Sequence, residues 1–445
     1  MARVRCQPFV VGVSLLLLSP GASPAAEKHN LSAGGKPGDA VRVEVLLEVG
    51  GDLKLVDEGK VNTLPMSVVG KLRYCEKLVD PASAGGDAPR SLRHYERAEA
   101  VIKIEKETLS PKLRDDRRTI AAAVGPSKTL YSPLGPLTRD ELDLIEVPCD
   151  NLLIDQLLPG KPVSQGERWR HSDDLLAGLL GLDAVSQSDV ASELISIDAQ
   201  AAQIELTGKV IGAAEGVATQ IELAGKYRYD LIARRVTRLA ISIKENRSVG
   251  HVAAGLDVVA KLQMHVTPLG EVAELSGEAL RDVRLDPGAE LRDLEYQPAN
   301  GMYRIAYDCR WHIVSDRGDV LALRMVDRGD LIAQCNLTTL PDVEPTKHPT
   351  LARFQQDIER TLGKDFGQFV RASQAVNEAG YAFYRVEVEG VVADLPIRWN
   401  YYLLADDQGH LAVFVFTVEG ELIGQLGNAD EAIVSTLRFT PRSDE

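Results

Sequence analysis

Polar and apolar residues alternate with a period of two over much of this chain, and that period predicts strands. Val41-Arg42-Val43-Glu44-Val45-Leu46-Leu47 alternates in this way, as do residues 67–77 and 93–104, with a loop at 81–89 between the last two. The pattern then changes. Thr138 to Glu141 has the spacing of a capping box and opens a helix whose Leu142, Leu144 and Ile145 face inward. Asp150 and Asn151 start a second short helix carrying Leu152, Leu153, Ile154, Leu157 and Leu158, ended by Pro159-Gly160. Ser172-Asp173-Asp174 caps a third, a Leu-rich turn over 175–182. Alternation returns at 190–197, 203–211, 218–229, 236–245 and 251–266, with a short closing strand expected at 271–275.

Strands, then short apolar helices, then strands again describe a curved antiparallel sheet over 40–284 with the helices filling its concave face. This order resembles the incomplete β-barrel of periplasmic lipoprotein-carrier proteins. The resemblance implies a space for an acyl chain between sheet and helices, lined by Leu153, Leu157, Leu175, Leu176 and Leu179. The plainer alternative is that the same leucines are packed core.

The aromatic residues are spread unevenly and mark a second unit. Of 23 Phe, Trp and Tyr, sixteen lie from Tyr296 onward, so a boundary is placed at 285–300, around Asp286-Pro287-Gly288 and Gln297-Pro298. Beyond it, strands are expected at 302–311, 320–326, 331–337, 382–389, 396–404 and 411–418. Thr350 begins a helix over 351–362, and another covers about 430–435. Trp311 after a Tyr-x-Ile-x-Tyr strand, the run Asn400-Tyr401-Tyr402-Leu403-Leu404, and Ile433-Val434-x-x-Leu437-x-Phe439 resemble the PsbP-like fold. The resemblance covers 301–440 and implies an antiparallel sheet with helices on its faces, in a family of mostly binding or assembly factors. The chain is therefore α+β as a whole. Trp399 and Tyr401 fall on one strand face and Tyr402 on the other, which suits packing on both sides of a sheet.

The first 26 residues address the chain. Arg3 and Arg5 precede a largely apolar run, Ser19-Pro20-Gly21 breaks it, and Ser23-Pro24-Ala25-Ala26 offers small residues for cleavage. This is the layout of a signal peptide, so an exported protein, periplasmic or extracellular, is expected. The apolar run is too short for an integral membrane span. Residues 27–39, with Gly34-Gly35-Lys36-Pro37-Gly38, read as a disordered leader.

Charge and cysteines narrow the partners. The net charge is −15, and it grows by two negative units once Arg3 and Arg5 leave. Such an acidic surface does not suit nucleic acid. Cys75, Cys149, Cys309 and Cys335 remain after cleavage, and pairs Cys75–Cys149 and Cys309–Cys335 are favoured because each stays within one unit. Buried free thiols are the alternative.

Chemistry-bearing motifs are sparse. There is no G-x-S-x-G, S-x-x-K, H-E-x-x-H, Walker loop or Rossmann glycine pattern. His171 beside Asp173 and Asp174 is the best acid–base cluster, but Asp at a helix start is ordinary capping. Asp406-Asp407-Gln408-Gly409 reads as a turn, and Arg317-Gly318-Asp319 and Arg328-Gly329-Asp330 as hairpin tips. The reading is an exported, non-catalytic binding or assembly protein of the cell envelope, with no cofactor and no metal. It would hold an apolar small molecule or lipid in the first unit and a protein partner on the second. A secreted hydrolase with dispersed residues and a purely structural surface protein are the alternatives.

Overall fold

A computed structural model describes residues 27–57, 60–79, 90–124, 128–281, 292–327, 329–345 and 347–440. The expected signal peptide, the loop at 81–89 and part of the boundary segment lie outside the described residues. The described chain is a strand-dominated α+β protein of three antiparallel sheets, none closed.

The first sheet has thirteen strands. In chain order they are β1 (Ala40–Asp57), β2 (Lys60–Val79), β3 (Arg90–Ile104), β4 (Glu107–Leu109), β5 (Thr119–Val124), β6 (Lys128–Tyr131) and β7 (Arg168–Arg170). They continue with β8 (Ala184–Ser188), β9 (Ala191–Ile197), β10 (Ala201–Ala214), β11 (Val217–Asp230), β12 (Arg235–Arg247) and β13 (Gly255–Leu269). The spatial order is β6-β5-β3-β2-β1-β13-β12-β11-β10-β9-β7, with β4 on β3 and β8 on β10. Most neighbours are joined by hairpins. The seam is β1 against β13, which runs from Ala40↔Leu269 to Lys54↔Gly255 and joins the two halves of the sheet.

Between β6 and β8 the chain folds α1 (Arg139–Ile145), α2 (Asn151–Ile154) and α3 (Asp173–Leu180) onto one face of this sheet. Helices of four to eight residues are not stable alone, so burial on the sheet must hold them. Each start is capped as its sequence requires. Thr138 Oγ1 accepts from the Glu141 N–H and Glu141 accepts from the Thr138 N–H at 2.9 Å. Asp150 accepts from the Leu152 N–H and Ser172 from the Leu175 N–H.

Three local expectations are corrected. Residues 271–275 are no strand: both edges of β13 are occupied by β1 and β12, and a 3₁₀ turn at Ala273–Leu275 instead seats Leu275 on the outer face against Cys75, Leu92 and Ala121. Residues 27–39 are not a free leader. His29 bridges Val163, Leu31 is completely buried, Ser32 accepts from the Tyr229 hydroxyl, and the Gly34 N–H donates to Arg234. Nor is all of 285–300 linker, because β14 (Leu294–Tyr296) pairs with β15 (Tyr303–Tyr307) and buries Leu294.

The expected strand at 302–311 divides at its Asp308-Cys309-Arg310 turn, where Asp308 accepts from the Arg310 N–H. Its first part, β15, belongs to a three-stranded sheet with β14 and a short C-terminal strand. The second part opens a seven-stranded sheet. Its strands are β16 (Trp311–Asp316), β17 (Val320–Asp327), β18 (Asp330–Leu340), β19 (Phe366–Val376), β20 (Ala382–Val392), β21 (Leu395–Ala405) and β22 (Leu411–Glu419). Helix α4 (Leu351–Leu362) packs Phe354 and Ile358 on one face, against Tyr384, Trp399 and Tyr401. Helices α5 (Ile423–Leu426) and α6 (Ala429–Thr436) cover the other, where Tyr402, Phe414 and Phe416 meet Ile433 and Val434. The aromatic residues of β21 are core on both faces. The core under α5 and α6 is continuous with the core of the first sheet, through Leu137, Leu294, Ile305 and Tyr307.

All four described cysteines are free, which overturns the two favoured disulfides. Cys75 faces the outer cluster on β2, whereas Cys149 is buried in the core on the other side of the sheet. Cys335 is fully buried in β18, while Cys309 is exposed at its turn.

Candidate functional site

Leu153, Leu157, Leu175, Leu176 and Leu179 are brought together, but as packed core. Each is under a tenth exposed, and each belongs to the same buried cluster as Val43, Leu72, Ile204 and Leu239 of the sheet. Burying a leucine contributes about 1.5–3 kcal/mol, which makes these five side chains a means of attaching the helices.

Beneath α2 lies a group of ionic side chains that the pattern reading missed. Arg93 on β3 is 1% exposed, and its guanidinium donates to Glu76 at 2.7 Å and in a fork to both oxygens of Asp150 at 3.1 and 2.6 Å. Glu76 also accepts from Ser91 and Asn151, and Lys128 pairs with Asp150 at 3.2 Å. The Tyr74 ring lies 5.1 Å from the guanidinium carbon. Two cations and two carboxylates balance. Burial alone would raise the Asp150 pKa, but Arg93 and then Lys128 outweigh it and hold the carboxyl far below its usual range. Because Asp150 also caps α2, the cluster anchors that helix to β2 and β3.

The helices cover only part of the inner face. Strands of 18 and 20 residues run about 60 Å at ~3.3 Å per residue, and their two halves differ. In the covered half, Val45 pairs with Leu72 and Met264, all at most 4% exposed. Further along the same face the row Ala260–Val49–Val68–Ile102–Leu109 is half-buried to exposed, with Leu109 at 55%. The next row places Met66 beside Ile104, and the one after it Leu53 beside Leu64, again half-buried. Leu47, Val68, Ile102 and Ala260 pack directly against the main core. An apolar lip therefore continues the core beyond the helices.

The other candidates resolve into structural roles. His171 Nε2 meets Ser192 Oγ at 2.8 Å, and burial lowers its pKa to about 4. Ser192 is completely buried and also contacts the Tyr227 hydroxyl at 2.9 Å. Asp173 and Asp174 sit in the first turn of α3. Asp406 accepts from the Gln408 and His410 N–H groups and from the His410 ring, which makes a turn. Gly409 in that turn has φ +93°, and a Cβ there would lie 2.1 Å from the Val343 carbonyl oxygen. Among the described residues no group of three His, Cys, Asp or Glu is placed to hold a metal. Gly318 turns with φ +76° in the first Arg-Gly-Asp copy. In the second, Arg328 lies outside the described residues, and Gly329 is not displayed but abuts the Gly216 backbone.

In the second unit Asp430, 1% exposed on α6, accepts from Asn400 and from the Tyr402 hydroxyl, both at 2.7 Å. Arg385 stacks over the Tyr402 ring at 5.6 Å and pairs with Glu387 and Glu431. This cluster ties α6 to β20 and β21.

No protein-family profile and no curated protein matches the chain. Among solved structures, the chain is similar to cyanobacterial PsbP from Synechocystis sp. PCC 6803, at 15% identity and a TM-score of 0.28, over 39% of this chain and 99% of that one. It is similar to a Bacteroides thetaiotaomicron VPI-5482 structure at 9% identity and a TM-score of 0.26, over 33% and 48%. It is also similar to the translocator domain of the autotransporter NalP from Neisseria meningitidis at 6% and 0.14, over 87% and 89%. At these scores the likenesses decide neither fold nor function. Among the described residues no helix is long and apolar enough to cross a membrane.

Proposed function

We propose that this is an exported, non-catalytic binding protein of the cell envelope whose receptive surface is the apolar lip of the first sheet. In this reading the first unit is an incomplete barrel with its covered half plugged by α1–α3, and the second is a PsbP-like sandwich that docks a protein partner. The observation that carries the reading is the change in burial along one sheet face, from Val45 and Leu72 under the helices to Val49, Val68 and Ile102 beyond them. The ligand it fits is a single acyl chain or a similar apolar molecule, lying along the rows and removing them from water at about 25 cal/mol per Å².

The test uses adjacent residues on opposite faces. Val68 points to the inner face, while Val69 is 40% exposed on the outer one. A fluorescent fatty-acid probe is titrated into the mature protein, and protein purified from its native host is extracted for lipid. Val68→Asp should weaken probe binding about tenfold or more and Val69→Asp should leave it unchanged. Equal effects of the two substitutions, or no probe binding together with no extracted lipid, would sink the proposal.

A further inference from the structure

At the other ends of the same strands the sheet carries a second, differently built pocket. Its volume is about 500 Å³, and Lys77, Arg235, Leu269, Glu271, Asp39 and Gly35 are among its walls. Register explains how the two cations come to share it. Ala40 opposes both Lys77 and Leu269, while β12 begins at Arg235 beside the end of β13. Three strand steps of about 4.8 Å separate the bases of Lys77 and Arg235 by roughly 14 Å, so the two long side chains grip from opposite sides. The glycine-rich stretch crosses over this end and leaves a wall without side chains: a Cβ on Gly35 would lie 3.2 Å from Arg235 Nη2 and 3.3 Å from Leu78.

Arg235 is the informative member. It is only 9% exposed, yet among the described residues it has no ion pair and donates no side-chain hydrogen bond. Asp155 feels its charge through space, but that carboxylate is engaged by the Val236 N–H at 2.7 Å. Asp39 accepts from the Lys36 N–H at 2.9 Å, and Lys77 spends one donor on the Leu275 carbonyl at 2.9 Å, keeping two. Its guanidinium forms part of the pocket wall with no carboxylate bonded to it, and its planar fork matches a two-oxygen anionic group.

We infer that this pocket binds a small organic oxyanion, its anionic group on Arg235 and its far end between Lys77 and Glu271. The site is separate from the apolar lip and does not depend on it. Phosphate esters and carboxylates share the chemistry that Arg235 reads, and the assay distinguishes them. Glycerol 3-phosphate, D-glycerate and inorganic phosphate are each tested against the mature chain by calorimetry and thermal melting. At least one should bind at millimolar or lower concentration and raise the melting temperature; preference for the phosphate or the carboxylate names the group. Arg235→Met should weaken that binding about tenfold or more. Glu271→Gln, at an exposed position, should tighten binding. Absence of binding by all three probes overturns the inference, as does an Arg235→Met protein that binds like the parent or a Glu271→Gln protein that binds more weakly.

Discussion

Replacing Arg93 with methionine tests how the helix plug is held. The substitution keeps a long apolar stem but removes three charge-assisted hydrogen bonds, at 2.7, 3.1 and 2.6 Å, from two carboxylates that have almost no contact with water. Lys128 remains for Asp150, and Ser91 and Asn151 remain for Glu76, so the site keeps one cation for two anions. Breaking a buried pair by deleting one partner costs about 3–5 kcal/mol, most of it the penalty of the charge left behind. The assay is urea unfolding followed by fluorescence of Trp169, whose indole N–H donates to the Leu157 carbonyl at the end of the second helical segment. The sign of the pH effect follows from Asp150. Its native pKa is depressed, so in the parent its stabilisation is present above the ordinary carboxyl pKa and is lost as pH falls through the native value. Without Arg93, less opposes the burial that raises that pKa, so the variant's deficit is expected to be greatest near pH 7 and to shrink toward pH 4 as the carboxyl takes a proton. Combining Arg93→Met with Glu76→Gln and Asp150→Asn should recover part of the loss. A deficit below about 1 kcal/mol at pH 7, or one that does not shrink on acidification, would refute the view of this cluster as a charge-balanced anchor.

Three further outcomes are expected. Asp430→Ala leaves the Asn400 amide and the Tyr402 hydroxyl without their buried acceptor and should destabilise the second unit by about 3 kcal/mol, with Asp430→Asn less severe; thermal melting reads both. His171 is held near pKa 4 by burial, so its neutral form stabilises the fold fully above its unfolded pKa of about 6.5 and progressively less as pH drops toward 4. The parent should therefore lose stability over that window more steeply than His171→Gln. Thiol titration of the native mature protein should show Cys309 reacting and Cys75, Cys149 and Cys335 reacting only after unfolding, with no mass loss from disulfides; a Cys75–Cys149 or Cys309–Cys335 cross-link would contradict this arrangement.

Much of the local structure was legible because it depends on near neighbours. The capping box at Thr138 and Glu141, the caps at Asp150, Ser172 and Thr350, and the two-sided role of Trp399, Tyr401 and Tyr402 all follow from spacing of a few residues. The ionic cluster left a fainter trace. Glu76 shares the strand parity of Leu72 and Tyr74, and a charge at an inward position signals a buried partner. Nothing local says that the partners are Arg93, directly opposite, and Asp150, far along the chain.

By itself, then, the sequence determined the strand-dominated α+β character, the three short helices between two runs of strands, and the concentration of aromatic residues in the last third, because alternation, caps and composition act within a turn or a strand. Only the tertiary structure decided which apolar residues are core and which stay half-buried or exposed. Leu157 and Val68 look equally apolar in the chain, yet one lies under the sheet and the other beyond the helices' reach. The same holds for charge: Lys77 and Arg235 share a pocket because β1 pairs with both β2 and β13. The β1–β13 pairing depends on chain closure across more than two hundred residues, and no local period encodes it.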